Sequence, residues 1–208
     1  MEKEYIEALI PIILKHDLLV ISDEIYAELT YGQKHFSIAS VDSLKDRVIL
    51  ISGFSKAFAM TGWRIGYICA SVELIKPILK IHQYGAICAP IFSQYAGLTA
   101  LESGKKDEFS SVTAMLEEYD TRRRFMYKSF TEMGLECFEP KGAFYIFPCV
   151  KSLGMTGDEF AEKLLLEEKV AVVSGSAFGE SGKYFIRCSY AYSMNNLIKA
   201  IEKIDFES

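Results

Sequence analysis

Three short apolar runs, Leu18 to Ile21, Val48 to Ile51 and Ile65 to Ala70, are each bounded by turn or polar residues and separated by helical stretches. They constrain the fold more than any other feature. Runs this short and this continuous suit the interior of an α/β sheet better than half-exposed strands, whose apolar and polar residues alternate. The first hundred residues therefore supply about three strands, fewer than the four to six of an ordinary open sheet, so the sheet reads as truncated. A helix from about residue 3 to 16, with Tyr5, Ile6, Leu9, Ile10, Ile13 and Leu14 at helical spacing, feeds the first strand.

The second half alternates differently. Residues 105–133 carry Phe109, Val112, Leu116, Tyr119, Arg123, Met126 and Phe130 on one helical face, which predicts one long helix crossing between two lobes. Strand-like segments follow at 135–138, 142–147, 170–173 and 184–189, with helices at about 158–168 and 193–204, the mixture of a small α+β lobe. The expected division is 1–104 and 105–208. A chain of 208 residues with 50% hydrophobic and 25% charged residues has the balance of a soluble globular protein. Its formal charge of -5 gives no electrostatic sign of a nucleic-acid or anionic-membrane partner. Lys80 and His82 interrupt the most apolar stretch, 77–101, so no membrane span is expected. The N-terminus lacks the basic leader and small-residue cleavage site of a signal peptide, and the five scattered cysteines form no CxxC pair, so reduced thiols in the cytoplasm are expected. His16, His35 and His82 match no metal-ligand spacing, and no metal is expected.

The chemistry gathers at two strand ends. Ser22-Asp23-Glu24-Ile25-Tyr26 closes the first strand, and Ser52-Gly53-Phe54-Ser55-Lys56 closes the second, followed by Thr61-Gly62-Trp63-Arg64. Open α/β sheets bind ligands at that edge. An amine among apolar and aromatic groups loses its proton more readily and attacks an aldehyde to give a Schiff base. A carboxylate holds a pyridine nitrogen protonated, a phenol donates to a ring oxygen, and an arginine grips a phosphate through paired N–H bonds. Together these groups describe a pyridoxal phosphate site.

The stretch SDEIYAELTYGQKHFSIAS followed by ISGFSKAFAMTGWRIGY resembles the fold type I pyridoxal-phosphate aminotransferases, in the class I/II branch with aspartate and aromatic aminotransferases. The resemblance continues through GAFYIFP at 142–148, GSAFGESG at 175–182 and YFIRCSYA at 184–191, and so covers nearly the whole chain. It implies the C-terminal portion of the PLP-dependent transferase fold: the C-terminal part of a cofactor-binding large domain over 1–104, then an interdomain helix and small domain over 105–208.

The resemblance implies that Lys56 is the catalytic lysine that binds the cofactor and moves the substrate Cα proton. It further implies that Asp23 pairs with the pyridinium nitrogen, Tyr26 with the ring oxygen, and Arg64 with the phosphate, with Ser55 in support. Arg187 matches the small-domain arginine that takes the substrate α-carboxylate. The implied activity transfers an amino group from an L-amino acid to a 2-oxo acid in a homodimer or larger self-association. Two departures stand out: some relatives have a serine two positions before Ser55, where this chain has Gly53, which removes a phosphate donor, and Ser174 stands where proline is common. The resemblance also implies a preceding half with a phosphate-binding loop, a ring-stacking aromatic and an asparagine, none of which can be matched here. A chain of this extent is expected to have weak or no activity alone. A carbon–sulfur β-lyase using the same lysine, or an inactive folded remnant, are the alternatives, and a tyrosine at position 26 favours the transaminase over the lyase.

Overall fold

The computed structural model describes residues 2–204. They fall into two compact units, Met1–Ala114 and Met115–Ser208. In the first, helix α1 (Lys3–Lys15) turns Ile6 and Ile13 inward against Ile38, Leu44 and Val48, the apolar cluster that seats the helix beside the sheet. The helix ends where Asp17 takes a left-handed backbone, and Leu18 N–H closes onto the Ile13 carbonyl before strand β1 (Val20–Asp23) begins. Strand β2 (Val48–Gly53) runs parallel to β1 in the register Val20 with Val48 through Asp23 with Ile51. An ion pair of 2.6 Å between Arg47 and Asp17 ties together the starts of the two strands. Strand β3 (Gly66–Cys69) returns antiparallel on the other side of β2, so the sheet order is β1-β2-β3.

The three apolar runs do form the three strands, but they are far from buried. Ile21 is 70% exposed and every residue of β3 is exposed, so the sheet faces at these positions are uncovered, and β1 and β3 are both edge strands. Two helices follow, α2 (Val72–Ala86) and α3 (Ile91–Lys106). The long helix expected from residue 105 begins later, as α4 (Ser110–Glu132), because Glu108 and Phe109 both adopt positive φ and break the run. Phe109 folds back there: its N–H donates to the Gly104 carbonyl at 2.7 Å, and its ring occupies the space that a side chain at Gly104 would need.

In the second unit a small sheet has the order β4-β6-β5, with β4 at Tyr145–Ile146, β5 at Val173–Ser174 and β6 at Ile186–Ser189, all antiparallel. Its strands are shorter than the apolar segments that predict them. Residues 135–138 contribute only an isolated bridge from Glu136 to Cys149. Helix α5 (Gly157–Lys163) starts with a capping box in which Thr156 and Glu159 exchange side-chain and backbone hydrogen bonds, then widens into a π turn at Leu164–Glu168. Helix α6 (Met194–Ile204) buries Leu197, Ile201 and Ile204, and Ile146, Phe160, Ile186 and Tyr190 complete the core. Arg123, on α4, is buried. It donates to Asp120 at 2.8 Å and Glu139 at 2.6 Å within its own unit. Burial alone would weaken its charge, but the bonds from Glu139 and Asp120 outweigh that and raise its pKa.

Candidate active site

Parallel pairing of β1 and β2 brings their carboxyl ends to one edge of the sheet, so Asp23–Tyr26 and Ser52–Lys56 leave it side by side. Side chains alternate along a strand, and here the alternation separates two neighbouring carboxylates. Asp23 lies exposed at the edge, while Glu24 turns inward and is 6% exposed. Asp23 accepts a hydrogen bond from Ile25 N–H at 3.1 Å, which tightens the turn. Within the turn Ala27 N–H donates to the Glu24 carbonyl and Leu29 N–H to the Tyr26 carbonyl, which fixes the backbone on both sides of Tyr26.

Glu24 is the residue that the sequence reading leaves unassigned. Its carboxylate accepts from Ser22 Oγ at 3.0 Å, Ser37 Oγ at 2.8 Å and His35 Nε2 at 2.8 Å. Its backbone N–H donates to the Ile51 carbonyl, and its own carbonyl accepts from Ser52 Oγ. A buried carboxylate is tolerable only with donors around it, and these supply them. The result pins the end of β1 to β2 and to the 35–37 loop. The signal available in the sequence was the adjacency of two acids at a strand end, since only one of them can face the edge.

Lys56 sits in a tight turn in which Phe58 N–H and Met60 N–H both donate to the Phe54 carbonyl. Phe54 anchors that turn: its ring contacts Phe58 at 5.4 Å and Tyr67 at 6.0 Å. Lys56 Nζ lies over the Tyr26 ring, 5.6 Å from its centre, so the amine and the phenol of the two segments meet. Ser55 precedes it, half-buried. Arg64 follows a one-turn helix at Thr61–Trp63 and has a left-handed backbone with φ 51°; its Nη1 donates to the Thr61 carbonyl at 2.9 Å, and the side chain is exposed.

The structure gives a physical reason for Gly53. A Cβ at that position would lie 2.9 Å from the Gly66 Cα and 3.0 Å from the Ile65 carbonyl oxygen, where β3 crosses closely. A serine there collides with backbone, whatever its hydroxyl could donate. Ser174 likewise acts locally, since its hydroxyl accepts from Ser176 N–H and caps the turn at Gly175–Phe178.

Arg187 belongs to the second unit, on β6 between buried Ile186 and Cys188. Its guanidinium carbon lies over the Tyr145 ring at 4.4 Å and the Phe178 ring at 4.9 Å. Asp23, Tyr26, Ser55, Lys56 and Arg64 thus all lie in the first unit, while the predicted carboxylate ligand lies in the second.

The sequence pattern of the family described as aminotransferase class I and II matches residues 1–204. An aspartate aminotransferase of Pyrococcus abyssi is 44% identical over 206 residues, 99% of this chain and 52% of that protein. An aromatic-amino-acid aminotransferase of Thermococcus litoralis is 40% identical, over 99% of this chain and 52% of its own length. Among solved structures, the aromatic aminotransferase from Pyrococcus horikoshii superposes with a TM-score of 0.94 at 43% identity, covering 99% of this chain and 55% of that one. The chain spans about half the length of the curated relatives it matches.

Proposed function

The chain belongs to the aminotransferase class I and II family, and from that premise we propose that it carries the lysine-bearing wall of a pyridoxal 5'-phosphate site that serves amino transfer from an L-amino acid to a 2-oxo acid. The observation that carries this reading is the meeting of Lys56 Nζ with Tyr26 at the shared carboxyl ends of β1 and β2, beside Asp23. Amine, phenol and carboxylate at one sheet edge are the donor set that this cofactor requires, so the residues fit it. When bound, pyridoxal phosphate supplies an electron sink for negative charge at the substrate Cα.

The chain's own residues do the rest. Lys56 would hold the cofactor at its carbonyl carbon, the oxygen leaving as water, and its amine would carry the proton at the substrate Cα. Asp23 keeps a proton on the ring nitrogen, and its exposed place at the strand end suits contact with a ligand. Tyr26 donates to the ring oxygen, and Glu24 holds the turn from which both residues project. Ser55 and Arg64 bind the phosphate; the bond from Arg64 to the Thr61 carbonyl steadies the guanidinium and leaves its other N–H groups for oxygen ligands. Arg187 takes the substrate α-carboxylate. In this reading residues 1–104 are the C-terminal part of the cofactor domain and 105–208 an interdomain helix with the small domain. The assembly is a homodimer or larger, in the cytoplasm.

Incubation with pyridoxal phosphate followed by borohydride reduction and peptide mass spectrometry tests the reading. The expected product is a single reduced adduct on the peptide containing Lys56, lost in Lys56→Ala. Labelling spread over surface lysines, with Lys56→Ala labelled as fully as the natural sequence, sinks it.

A further inference from the structure

We propose that Tyr145 and Phe178 are positioning residues that hold the Arg187 guanidinium flat, with its N–H edge presented to a carboxylate. The proposal rests on the reading above of Arg187 as the carboxylate anchor, and it assigns work to two side chains that this reading leaves unused.

The guanidinium has two kinds of surface. Its faces stack on aromatic rings, and its five N–H donors lie in its own plane. Both rings lie within cation–π range, Tyr145 at 4.4 Å and Phe178 at 4.9 Å. Among the described residues the Arg187 side chain makes no hydrogen bond and no ion pair; these two ring contacts are its interactions. That is a distinctive state for an arginine in a chain with 28 acidic against 23 basic residues. Arg47, Arg122, Arg123 and Arg124 each have a carboxylate partner within the chain. Arg187 instead lies over two aromatic rings, and contact through its faces would leave its in-plane donors for a ligand.

The rings are themselves held. Tyr145 packs on Phe144 with ring centres 4.7 Å apart, Phe178 meets Phe147 edge-on at 5.7 Å, and Phe147 stacks on Phe185 at 5.8 Å. The guanidinium therefore sits beside a run of aromatic rings drawn from β4 and its two flanking residues, the 175–178 turn and the residue before β6. Phe178 is 54% exposed, so burial of its own ring does not account for its place in a glycine-rich turn. Its contact with Arg187 does. A flexible side chain immobilised before the ligand arrives spares the binding step that ordering cost. The cradle also favours a planar carboxylate that approaches in the plane of the fork and bonds through two oxygens.

The full chain can be titrated with maleate at constant ionic strength while the Arg187 Nε–H resonance, assigned by its loss in Arg187→Lys, is followed by NMR. In the natural sequence that resonance is expected to shift saturably. The double variant Tyr145→Leu/Phe178→Leu keeps apolar volume and removes both rings, and should weaken maleate by about three- to tenfold, the cost of ordering one long side chain. Tyr145→Phe keeps the ring and should stay within about twofold of the natural sequence. If the double variant does not fold, as judged by its amide spectrum, Phe178→Leu at the exposed ring carries the comparison alone. Equal affinity in the leucine variants overturns the proposal. So does loss in Tyr145→Phe as large as in the leucine variant, or absence of any maleate shift in the natural sequence. Failure of Lys56 to take up the cofactor, with the maleate result intact, removes the aminotransferase reading and leaves the cradle standing.

Discussion

Asp23 and Glu24 differ by one methylene and one position, and the strand sends one carboxylate to the open edge and the other into the interior. Glu24 leaves water only because Ser22, Ser37 and His35 replace it. Glu24→Ala should therefore cost more than an ordinary surface truncation, about 3 kcal/mol, since three donors lose their acceptor together. Glu24→Gln, which keeps two of the acceptor directions, should cost less, and urea unfolding of the three proteins gives the comparison. An equal and small loss in both variants would show that the network adds nothing to stability. Gly53 yields a second expectation at this scale. Gly53→Ser should lower stability by about 1–3 kcal/mol because its Cβ meets the β3 backbone at 2.9 Å; an unchanged unfolding midpoint would mean that β3 shifts freely. The thiols sort by burial in the same way. Burial pushes Cys188 up to about 12 and Cys137 up to about 11, so neither forms a thiolate near neutral pH. Cys69 and Cys88 are exposed, and iodoacetamide at pH 7.5 should alkylate those two first, with Cys137 and Cys188 modified only in denaturant.

Elements were legible where a local signal and the tertiary environment agree. The ends of β1 and β2 are legible because continuous apolar runs stop at serine, glycine and aspartate, residues that prefer turns. The start of α4 is not, because the helical spacing runs unbroken through 107–109, while Phe109 turns back over Gly104 and meets the Phe58 ring edge-on at 6.2 Å. The apolar segments at 142–147 and 170–173 yield only two-residue strands, Tyr145–Ile146 and Val173–Ser174, which pair with opposite edges of β6, a strand of four residues. The roles proposed for Lys56 and Asp23 come from a family resemblance carried by contiguous motifs, which a sequence displays; the Glu24 network and the aromatic run about Arg187 join residues many positions apart, which it does not. The start of α5 is legible in both ways, as Thr156-x-x-Glu159, and gives a pH expectation. The bonds from Thr156 backbone and side chain hold Glu159 below the usual carboxylate range. A depressed folded-state pKa contributes stability above the unfolded value and loses it as pH falls, here below about 4.3 and on through the lower folded value. Thr156→Ala keeps the larger backbone bond and removes the side-chain one, so it should flatten the stability–pH curve in that window only in part and leave its shape above pH 6 unchanged, while lowering the unfolding midpoint by roughly a few degrees at neutral pH. Identical acid limbs in the two proteins would refute the capping role.

The first unit as a whole is an assembly with open borders. Both β1 and β3 are sheet edges, and Ile21, Tyr84 and Phe92 on its strands and helices are 70–87% exposed. Unpaired edges and exposed apolar side chains of this size drive association, so the chain should run as a dimer or larger species in light scattering at micromolar concentration; a monodisperse monomer contradicts this. Catalysis is the more demanding expectation at this scale. Lys56, Asp23, Tyr26, Ser55 and Arg64 supply one wall of a cofactor site, and the chain spans about half the length of its relatives. Among these residues Arg64 is the sole cation placed to hold a phosphate, and it is exposed and already bonded to the Thr61 carbonyl. A misplacement of about 1 Å can cost on the order of a hundredfold in rate. A cofactor gripped from one side through an exposed arginine is free to move that far. The 208-residue chain by itself should therefore label at Lys56 when cofactor is in excess, bind it weakly, and turn over aspartate, glutamate, alanine or aromatic donors with 2-oxoglutarate little or not at all. Separate measurements of labelling, cofactor affinity and turnover distinguish these steps. Micromolar cofactor affinity with steady turnover would show that another surface of this chain closes the site.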